Sequence, residues 1–213
     1  MTSIAGFAAE LDRIAIGSDV VALWRVAELA RYVDRDALLA GDDPSEPPYW
    51  AHLWSGAVVL AGAVPRDAGR VVELGCGLGL PGLVAARRGA RVTFVDRAAA
   101  ALVFVRRSAA ANGVAAECVA ADFTQGSLRG RFDLVLAAEV LYDPARFADT
   151  AAAIRRHLAP GGRALVSDAA RTDTRTFYAA LDAAGLRWRA SDHPVREERL
   201  PVTVRLVEIA AVS

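Results

Sequence analysis

The sequence predicts an α/β protein, a Rossmann-like three-layer αβα sandwich built around a mostly parallel sheet. From Arg70 onward, short apolar segments alternate with segments of helical spacing, which is the pattern of βαβ units with right-handed crossovers. Phe132–Ala137 is an almost unbroken apolar run, typical of a parallel strand covered on both faces. The length of 213 residues suits one such domain with a short extension.

The alternation assigns the individual elements in chain order. Pro81 suits the first turn of a helix, and Gly89 and Gly185 suit helix ends. The segment LAPGGR, residues 158–163, is predicted as the turn before the fifth strand. The predicted helices are 51–64, Pro81–Arg88, Ala98–Ala111, Pro144–Leu158 and Thr174–Ala184. The predicted strands are Val71–Leu74, Arg91–Val95, Ala116–Ala120, Phe132–Ala137, Ala164–Ser167, Arg187–Ala190 and Val202–Ile209.

The region before the sheet is predicted to be helical. Residues 19–40 carry apolar side chains at helical spacing, namely Val20, Leu23, Trp24, Ala27 and Ala30. The segment GDDPSEPPYW that follows is rich in Pro and Asp and indicates a surface loop. The sequence therefore predicts an N-terminal helical extension over residues 1–45 and an α/β domain over residues 46–213.

Composition narrows the possible partners. Basic and acidic residues number 25 each, so no basic surface argues for nucleic acid or an anionic membrane. The longest apolar stretch falls short of the ~20 residues of a membrane span, and the first residues lack a basic leader. Two cysteines without a CxxC spacing indicate free thiols. We expect a cytoplasmic monomer or weak dimer without nucleic-acid or membrane partners, and we expect no metal, because no His/Cys cluster has ligand spacing.

A glycine-rich loop follows the first strand, in the segment VVELGCGLGLPG at residues 71–82. Glycines allow a tight turn and bring backbone N–H groups close to a nucleotide at a helix N-terminus. The loop alone does not identify the nucleotide, because Gly77-x-Gly79-x-x-Gly82 also fits the dinucleotide fingerprint. A tight turn without any ligand is the structural alternative.

Acidic residues follow the second and third strands. Asp96 is placed to accept hydrogen bonds from both ribose hydroxyls of a nucleotide, although it could also cap the next helix. Asp122 could accept from an adenine amino group while Phe123 packs against the ring. The alternative for this pair is a loop acid beside a core aromatic residue.

The residues after the fourth strand are Glu139-Val-Leu-Tyr142-Asp143. Acidic and phenolic groups at the ligand edge of a sheet can orient an incoming nucleophile. Asp143 has a simpler explanation as the cap of the helix that begins at Pro144, but that explanation does not extend to Glu139.

Together these residues resemble the class I S-adenosylmethionine-dependent methyltransferases. A narrower similarity, over about residues 47–210, is to the seven-β-strand lysine methyltransferases related to the electron-transfer-flavoprotein β-subunit and chaperone methyltransferases. Some bacterial relatives of that family carry the label predicted nicotinamide N-methyltransferase. The segments that carry the similarity are PPYWAHLWSGAVVLA, ELGCGLGLPGLVAA, VTFVDR and AAEVLYD.

The resemblance implies a seven-stranded sheet whose last strand is antiparallel, S-adenosyl-L-methionine as cofactor, and S-adenosyl-L-homocysteine as product. It implies catalytic roles for Glu139 and Tyr142, where Glu replaces the more usual Asp and reaches one methylene further. Trp50 and His52 are expected to line the substrate channel. The expected cofactor-binding residues are Trp54, Glu73, Gly75, Cys76, Gly77, Leu78, Gly79, Asp96, Arg97, Asp122, Phe123 and Ala138.

These expectations lead to a methyltransferase that acts on an amine nitrogen, with a protein lysine as the first choice of acceptor. A small-molecule N-methyltransferase of the same fold is the main alternative. An NAD-dependent oxidoreductase would explain the glycines and Asp96, but not Glu139 and Tyr142. A cofactor-binding protein without catalysis is the remaining alternative.

Overall fold

The N-terminal region is a three-stranded antiparallel sheet. The computed structural model describes residues 2–32, 48–126, 128–169, 172–197 and 200–212. The strands of this N-terminal sheet are β1 (Thr2–Ile4), β2 (Phe7–Ile16) and β3 (Asp19–Val26). β2 pairs with both neighbours. A 3₁₀ turn follows at Leu29–Tyr32.

This sheet corrects the helix predicted over residues 19–40. Its described first part, residues 19–26, is a strand, and the helical spacing of Val20, Leu23 and Trp24 is coincidental. The β-branched Val20, Val21 and Val26 favour extended backbone, and the prediction took no account of pairing with Phe7–Ile16. Residues 33–40 of that prediction, and the domain boundary between residues 45 and 46, lie outside the described residues.

The main sheet has seven strands. They are β4 (Arg70–Leu74), β5 (Arg91–Asp96), β6 (Glu117–Ala120), β7 (Phe132–Ala138), β8 (Leu158–Asp168), β9 (Leu186–Glu197) and β10 (Leu200–Ala211). Their order across the sheet is β6-β5-β4-β7-β8-β10-β9. The first five are parallel, and β10 is antiparallel to both β8 and β9. The predicted mostly parallel sheet with an antiparallel last strand is therefore confirmed.

Helices cover both faces of this sheet and give the three predicted layers. Their bounds are α1 (Ser55–Ala63), α2 (Leu80–Arg87), α3 (Ala99–Ala111), α4 (Phe147–His157) and α5 (Arg175–Ala183). Leu60, Leu83 and Phe104 of α1–α3 belong to one buried core, whereas Ile154 of α4 and Phe177 of α5 belong to a second core on the opposite face. Among the described residues no helix is both long and apolar enough to cross a membrane.

The LAPGGR segment differs from its predicted turn. β8 already begins at Leu158, opposite Phe132, and its register with β7 then jumps so that Arg163 lies opposite Leu134. The extra residues form a bulge. Gly161 within it has a φ of +73°, which a glycine adopts without a steric penalty.

The N-terminal sheet is attached to α3 through side chains. The Asn112 side-chain amide accepts from Ala22 N at 3.0 Å and donates to Ala22 O at 2.6 Å. Ser108 Oγ accepts from Trp24 N at 2.9 Å. At the start of β3, Arg88 donates to Asp19 at 2.7 and 2.9 Å, and this hydrogen-bonded pairing holds the pKa of Asp19 below its usual value. The small sheet therefore packs as part of the same body as the main sheet.

Candidate active site

A cavity of about 1000 Å³ lies at the carboxyl ends of the parallel strands, where ligands of open α/β sheets bind. Its walls come from the loops after β4, β5, β6, β7 and β8 and from the segment before α1. The volume is at the upper end of the range for small-molecule sites, which leaves room for a nucleotide and a second reactant. The predicted site residues that line it are Trp50, His52, Trp54, Gly75, Cys76, Gly77, Leu78, Gly79, Asp96, Arg97, Asp122, Phe123, Ala138, Glu139 and Tyr142.

The glycine loop after β4 requires its glycines for two reasons. Gly75, Gly77 and Gly79 have φ values of +62°, +50° and +74°, which side chains rarely tolerate. Space is also short, because a Cβ atom on Gly77 would lie 3.0 Å from Trp50 O. The loop therefore exposes bare backbone to the cavity, as a nucleotide cradle needs.

Glu73 is the one predicted cofactor-binding residue that does not line the cavity. Its side chain is 1% exposed, and its Oε2 accepts from Gly82 N at 2.8 Å. Because Gly79 at the N-cap of α2 has no side chain, Glu73 supplies the cap from the neighbouring strand. Burial raises the pKa of Glu73 to about 8, with a further contribution from the nearby charge of Asp96. The position of Glu73 therefore corrects its predicted role: it supports the loop from behind.

Asp96 lies at the end of β5 and organises the loops on either side. Its Oδ2 accepts from Gly77 N and its Oδ1 from Ala98 N, both at 2.8 Å. Burial raises the pKa of Asp96, although these backbone donors oppose the effect. Each carboxylate oxygen can accept a second hydrogen bond, so the group can hold the loop and still face a hydroxyl in the cavity.

Asp122 is engaged by protein groups on the side of the cavity after β6. Its Oδ1 accepts from Thr124 N at 3.0 Å and from Thr124 Oγ1 at 2.7 Å, and Arg146 donates to its Oδ2 at 2.5 Å. Burial acts to raise the pKa of Asp122, but the hydrogen bonds from Thr124 and Arg146 outweigh it and lower the pKa. Phe123 lies beside Gly75, 3.5 Å from the position of a Cβ there.

Glu139 has a strained backbone that its hydrogen bonds hold in place. Its φ is +55°, a conformation that costs a residue with a side chain ~1 kcal/mol or more. Its N–H donates to Ser167 O at 2.8 Å. Its carboxylate accepts from Gly56 N at 3.1 Å, in the first turn of α1, and from Ala169 N at 3.3 Å, just after β8. The carboxylate is thereby aimed at one position between α1 and the main sheet.

Aromatic side chains form the outer part of the cavity. The rings of His52 and Trp54 are 4.3 Å apart in an edge-to-face arrangement, and Trp54 Nε1 donates to Tyr49 O at 3.1 Å. Tyr142 is exposed, and its hydroxyl accepts from Arg97 at 3.5 Å. This contact connects the loop after β7 to the loop after β5.

The cavity also contains residues that the sequence predictions missed. Asp168, buried at the end of β8, lines it, and the rule that identified Asp96 at a strand end could have identified it. Arg146 lines it next to Asp122. Phe7 and Tyr32 reach it from the N-terminal region, and no local sequence signal connects them to the glycine loop.

The strand order, the antiparallel β10 and the glycine loop at the end of the central β4 are the features of the predicted Rossmann-like fold. Residues 71–162 match the family described as a methyltransferase domain. Over these residues the match agrees with the class predicted from the sequence.

Known proteins with similar sequences point the same way. Protein N-lysine methyltransferase METTL21A of Mus musculus is 39% identical over 112 residues, which are 46% of this chain and 51% of that protein. Ubiquinone biosynthesis O-methyltransferase of Pseudomonas aeruginosa (strain UCBPP-PA14) is 30% identical over 116 residues, 54% of this chain and 50% of that protein. The chain thus spans about half the length of these relatives.

A solved structure shows the same fold over most of the chain. The N-methyltransferase NodS from Bradyrhizobium japonicum WM9, in complex with S-adenosyl-L-homocysteine, superimposes with a TM-score of 0.60 at 20% sequence identity. The alignment covers 85% of this chain and 95% of NodS. This likeness confirms the fold.

Proposed function

We propose that the protein transfers a methyl group from S-adenosyl-L-methionine to an amine nitrogen, and that the acceptor is a lysine side chain of another protein. The observation that carries the proposal is that the glycine loop, Asp96 and Glu139 open into one cavity. A nucleotide cradle and an oriented carboxylate therefore face a common space. The similarity to METTL21A supports lysine as the acceptor.

The residues on the nucleotide side fit this cofactor. Gly75 and Gly77 line the cavity without side chains, so backbone groups can face a nucleotide, and Asp96 has acceptor capacity for ribose hydroxyls. Phe123 and the Asp122–Thr124–Arg146 cluster provide a wall for the adenine ring. Arg97 and Ala138 line the same space. When bound, the cofactor supplies an electrophilic methyl group on a sulfonium, together with its own leaving group.

The residues on the acceptor side suit a cation. Glu139 lines the cavity and its carboxylate is oriented by two backbone N–H groups, and a carboxylate attracts a cationic side chain. Asp168 adds a second acidic side chain to the same cavity. Tyr142, Trp50 and His52 would border the path along which the side chain enters.

The acceptor nitrogen must lose a proton before it can attack, since the free lysine pKa is near ~10.4. A carboxylate alone stabilises the charged amine and opposes this loss. Partial exclusion of water inside the cavity would disfavour the charged form of the amine, and the proton would pass to solvent. Glu139 then keeps the nitrogen aligned for an in-line displacement, where positioning supplies most of the rate.

The cofactor assignment is tested by thermal shift with S-adenosyl-L-homocysteine and with NAD in parallel. We expect only the first to raise the melting temperature, because only a binding ligand stabilises the folded state. Stabilisation by NAD alone would replace the methyltransferase proposal with the oxidoreductase alternative.

The acceptor assignment is tested with tritiated S-adenosyl-L-methionine and a lysate from cells that lack the gene. The sequence contains no Lys, so labelled methyl-lysine recovered after acid hydrolysis comes from another protein and not from self-methylation. Label in a protein band supports the proposal, and Glu139→Gln serves as the matched control. Label confined to the small-molecule fraction would make a small amine the acceptor. No label, despite cofactor binding, would indicate a protein without catalysis.

A further inference from the structure

We propose that the N-terminal sheet is a working part of the cofactor site and that Phe7 is its positioning residue. Through Trp50, Phe7 fixes the wall that closes over Gly77 and thereby determines the affinity for the cofactor. This inference rests on the proposed function. It assigns a role to a region that lies outside the matched methyltransferase domain of residues 71–162.

Phe7 is the centre of an aromatic cluster that bridges three parts of the chain. Its ring is 4.9 Å from Tyr32, 5.4 Å from Trp50 and 6.5 Å from Phe104 of α3, each in an edge-to-face arrangement. Trp50 and Phe104 are themselves 5.4 Å apart. Such pairs fix ring orientations more firmly than aliphatic contacts of the same area. Removing the Phe7 ring therefore removes one side of the support for Trp50.

Trp50 transmits this support to the glycine loop through its backbone. Its carbonyl oxygen lies over Gly77, where a Cβ would approach to 3.0 Å. Gly77 N is the group that donates to Asp96. A shift of Trp50 would therefore change the space above the loop that, on our proposal, receives the nucleotide.

The sheet that carries Phe7 is attached to the main body by several hydrogen bonds, so it can hold Phe7 in a fixed position. Tyr32 Oη accepts from Ala8 N at 2.9 Å, which joins the 3₁₀ turn to β2. β3 is attached to the main body through Asn112, Ser108 and Arg88. Because α3 carries Ser108 as well as Phe104, the anchor and the aromatic cluster share one element.

The experiment compares Phe7→Ala with two variants of the same sheet. Val21→Ala removes a fully buried side chain of β3 that does not line the cavity, and Leu11→Ala removes an exposed one of β2. For each, the Kd of S-adenosyl-L-homocysteine is measured by calorimetry at 20 °C or below, and the melting temperature without ligand is recorded. Phe7→Leu, which keeps an apolar side chain, is included in case Phe7→Ala does not fold.

We expect Phe7→Ala to raise the Kd about tenfold and Phe7→Leu to raise it less. Val21→Ala should lower the melting temperature without changing the Kd, and Leu11→Ala should change neither. A Kd in Phe7→Ala and Phe7→Leu equal to that of Val21→Ala would overturn the inference and leave Phe7 as a packing residue. A wild-type protein that does not bind the compound would instead contradict the proposed function.

Discussion

Glu73 and Glu139 perform the same local task in opposite surroundings. Each lies at the carboxyl end of a parallel strand region, and each accepts a hydrogen bond from a backbone N–H in the first turn of a helix, α2 for Glu73 and α1 for Glu139. Glu73 is sealed off from solvent at 1% exposure, whereas Glu139 is half-buried and lines the cavity.

The difference shows what separates a structural carboxyl from a candidate catalytic one at the same edge of a sheet. With its pKa raised to about 8 by burial, Glu73 is mostly protonated at neutral pH and has no access to a ligand. Glu139 combines a fixed orientation with access to the cavity. The strained backbone at Glu139 is retained by hydrogen bonds to three residues, which is a common property of functional positions.

The largest effect is expected for Glu139→Gln. Methyl transfer should fall about a hundredfold, because the neutral amide no longer attracts and aligns a cationic acceptor. The Kd of S-adenosyl-L-homocysteine should stay close to that of the wild type. Initial rates and calorimetry give the two values, and loss of cofactor binding would refute the acceptor-side role of Glu139.

A smaller loss of methyl transfer is expected when the Glu139 side chain is kept but forced to move. In Gly56→Ala, the new Cβ would lie 2.3 Å from Glu139 Oε1, so the carboxylate must move and methyl transfer should fall about tenfold. Gly62→Ala on the same helix is the matched control, since no atom lies within 4 Å of a Cβ there. That control should keep full activity and gain up to ~1 kcal/mol of stability, the usual benefit of replacing a helical glycine. Equal activity in both variants would show that the position of Glu139 is not important.

Glu73→Gln is expected to change the pH dependence of stability and to leave cofactor binding unaffected. Between the ordinary pKa of 4.5 and the raised value of about 8, the folded protein keeps a proton that the unfolded chain has released. In this window the free energy of unfolding of the wild type should therefore decrease as pH rises, by at most about 1.4 kcal/mol per pH unit from this group.

Glutamine at position 73 keeps an oxygen that can accept from Gly82 N but cannot titrate. The variant should lose this part of the pH dependence, as measured by urea denaturation at pH 5.5 and pH 7.5. Parallel curves for the two proteins would mean that Glu73 is ionised in the folded state.

The sequence was sufficient for the main sheet because its signals are local. Apolar runs, helix ends and the glycine loop lie within single elements, and the rule that ligands bind beyond strand ends then identifies Asp96, Asp122 and Glu139. The N-terminal sheet was missed because the pairing of Phe7–Ile16 with residues 19–26 is a tertiary property, and the helical spacing of Leu23 and Trp24 competed with it.

The candidate site shows the same limit. The family resemblance placed Glu73 with the cofactor-binding residues, but its side chain turns towards Gly82 N because Gly79, at the N-cap of α2, has no side chain to cap the helix. Phe7 and Tyr32 reach the cavity only because the N-terminal sheet packs against α3. These contacts join segments far apart in the chain, and a single sequence does not record them.

The reciprocal bonds between Asn112 and Ala22 have a consequence for self-association. An outer strand with free N–H and C=O groups is a template onto which another chain can add. On β3, the Asn112 side-chain amide bonds to the N–H and C=O of Ala22, and the Ser108 hydroxyl accepts from the N–H of Trp24. The outer edge of β3 therefore has fewer free backbone groups with which a strand of another chain could pair. Asn112→Ala would uncover it, and we expect that variant to aggregate sooner on mild heating than the parent protein.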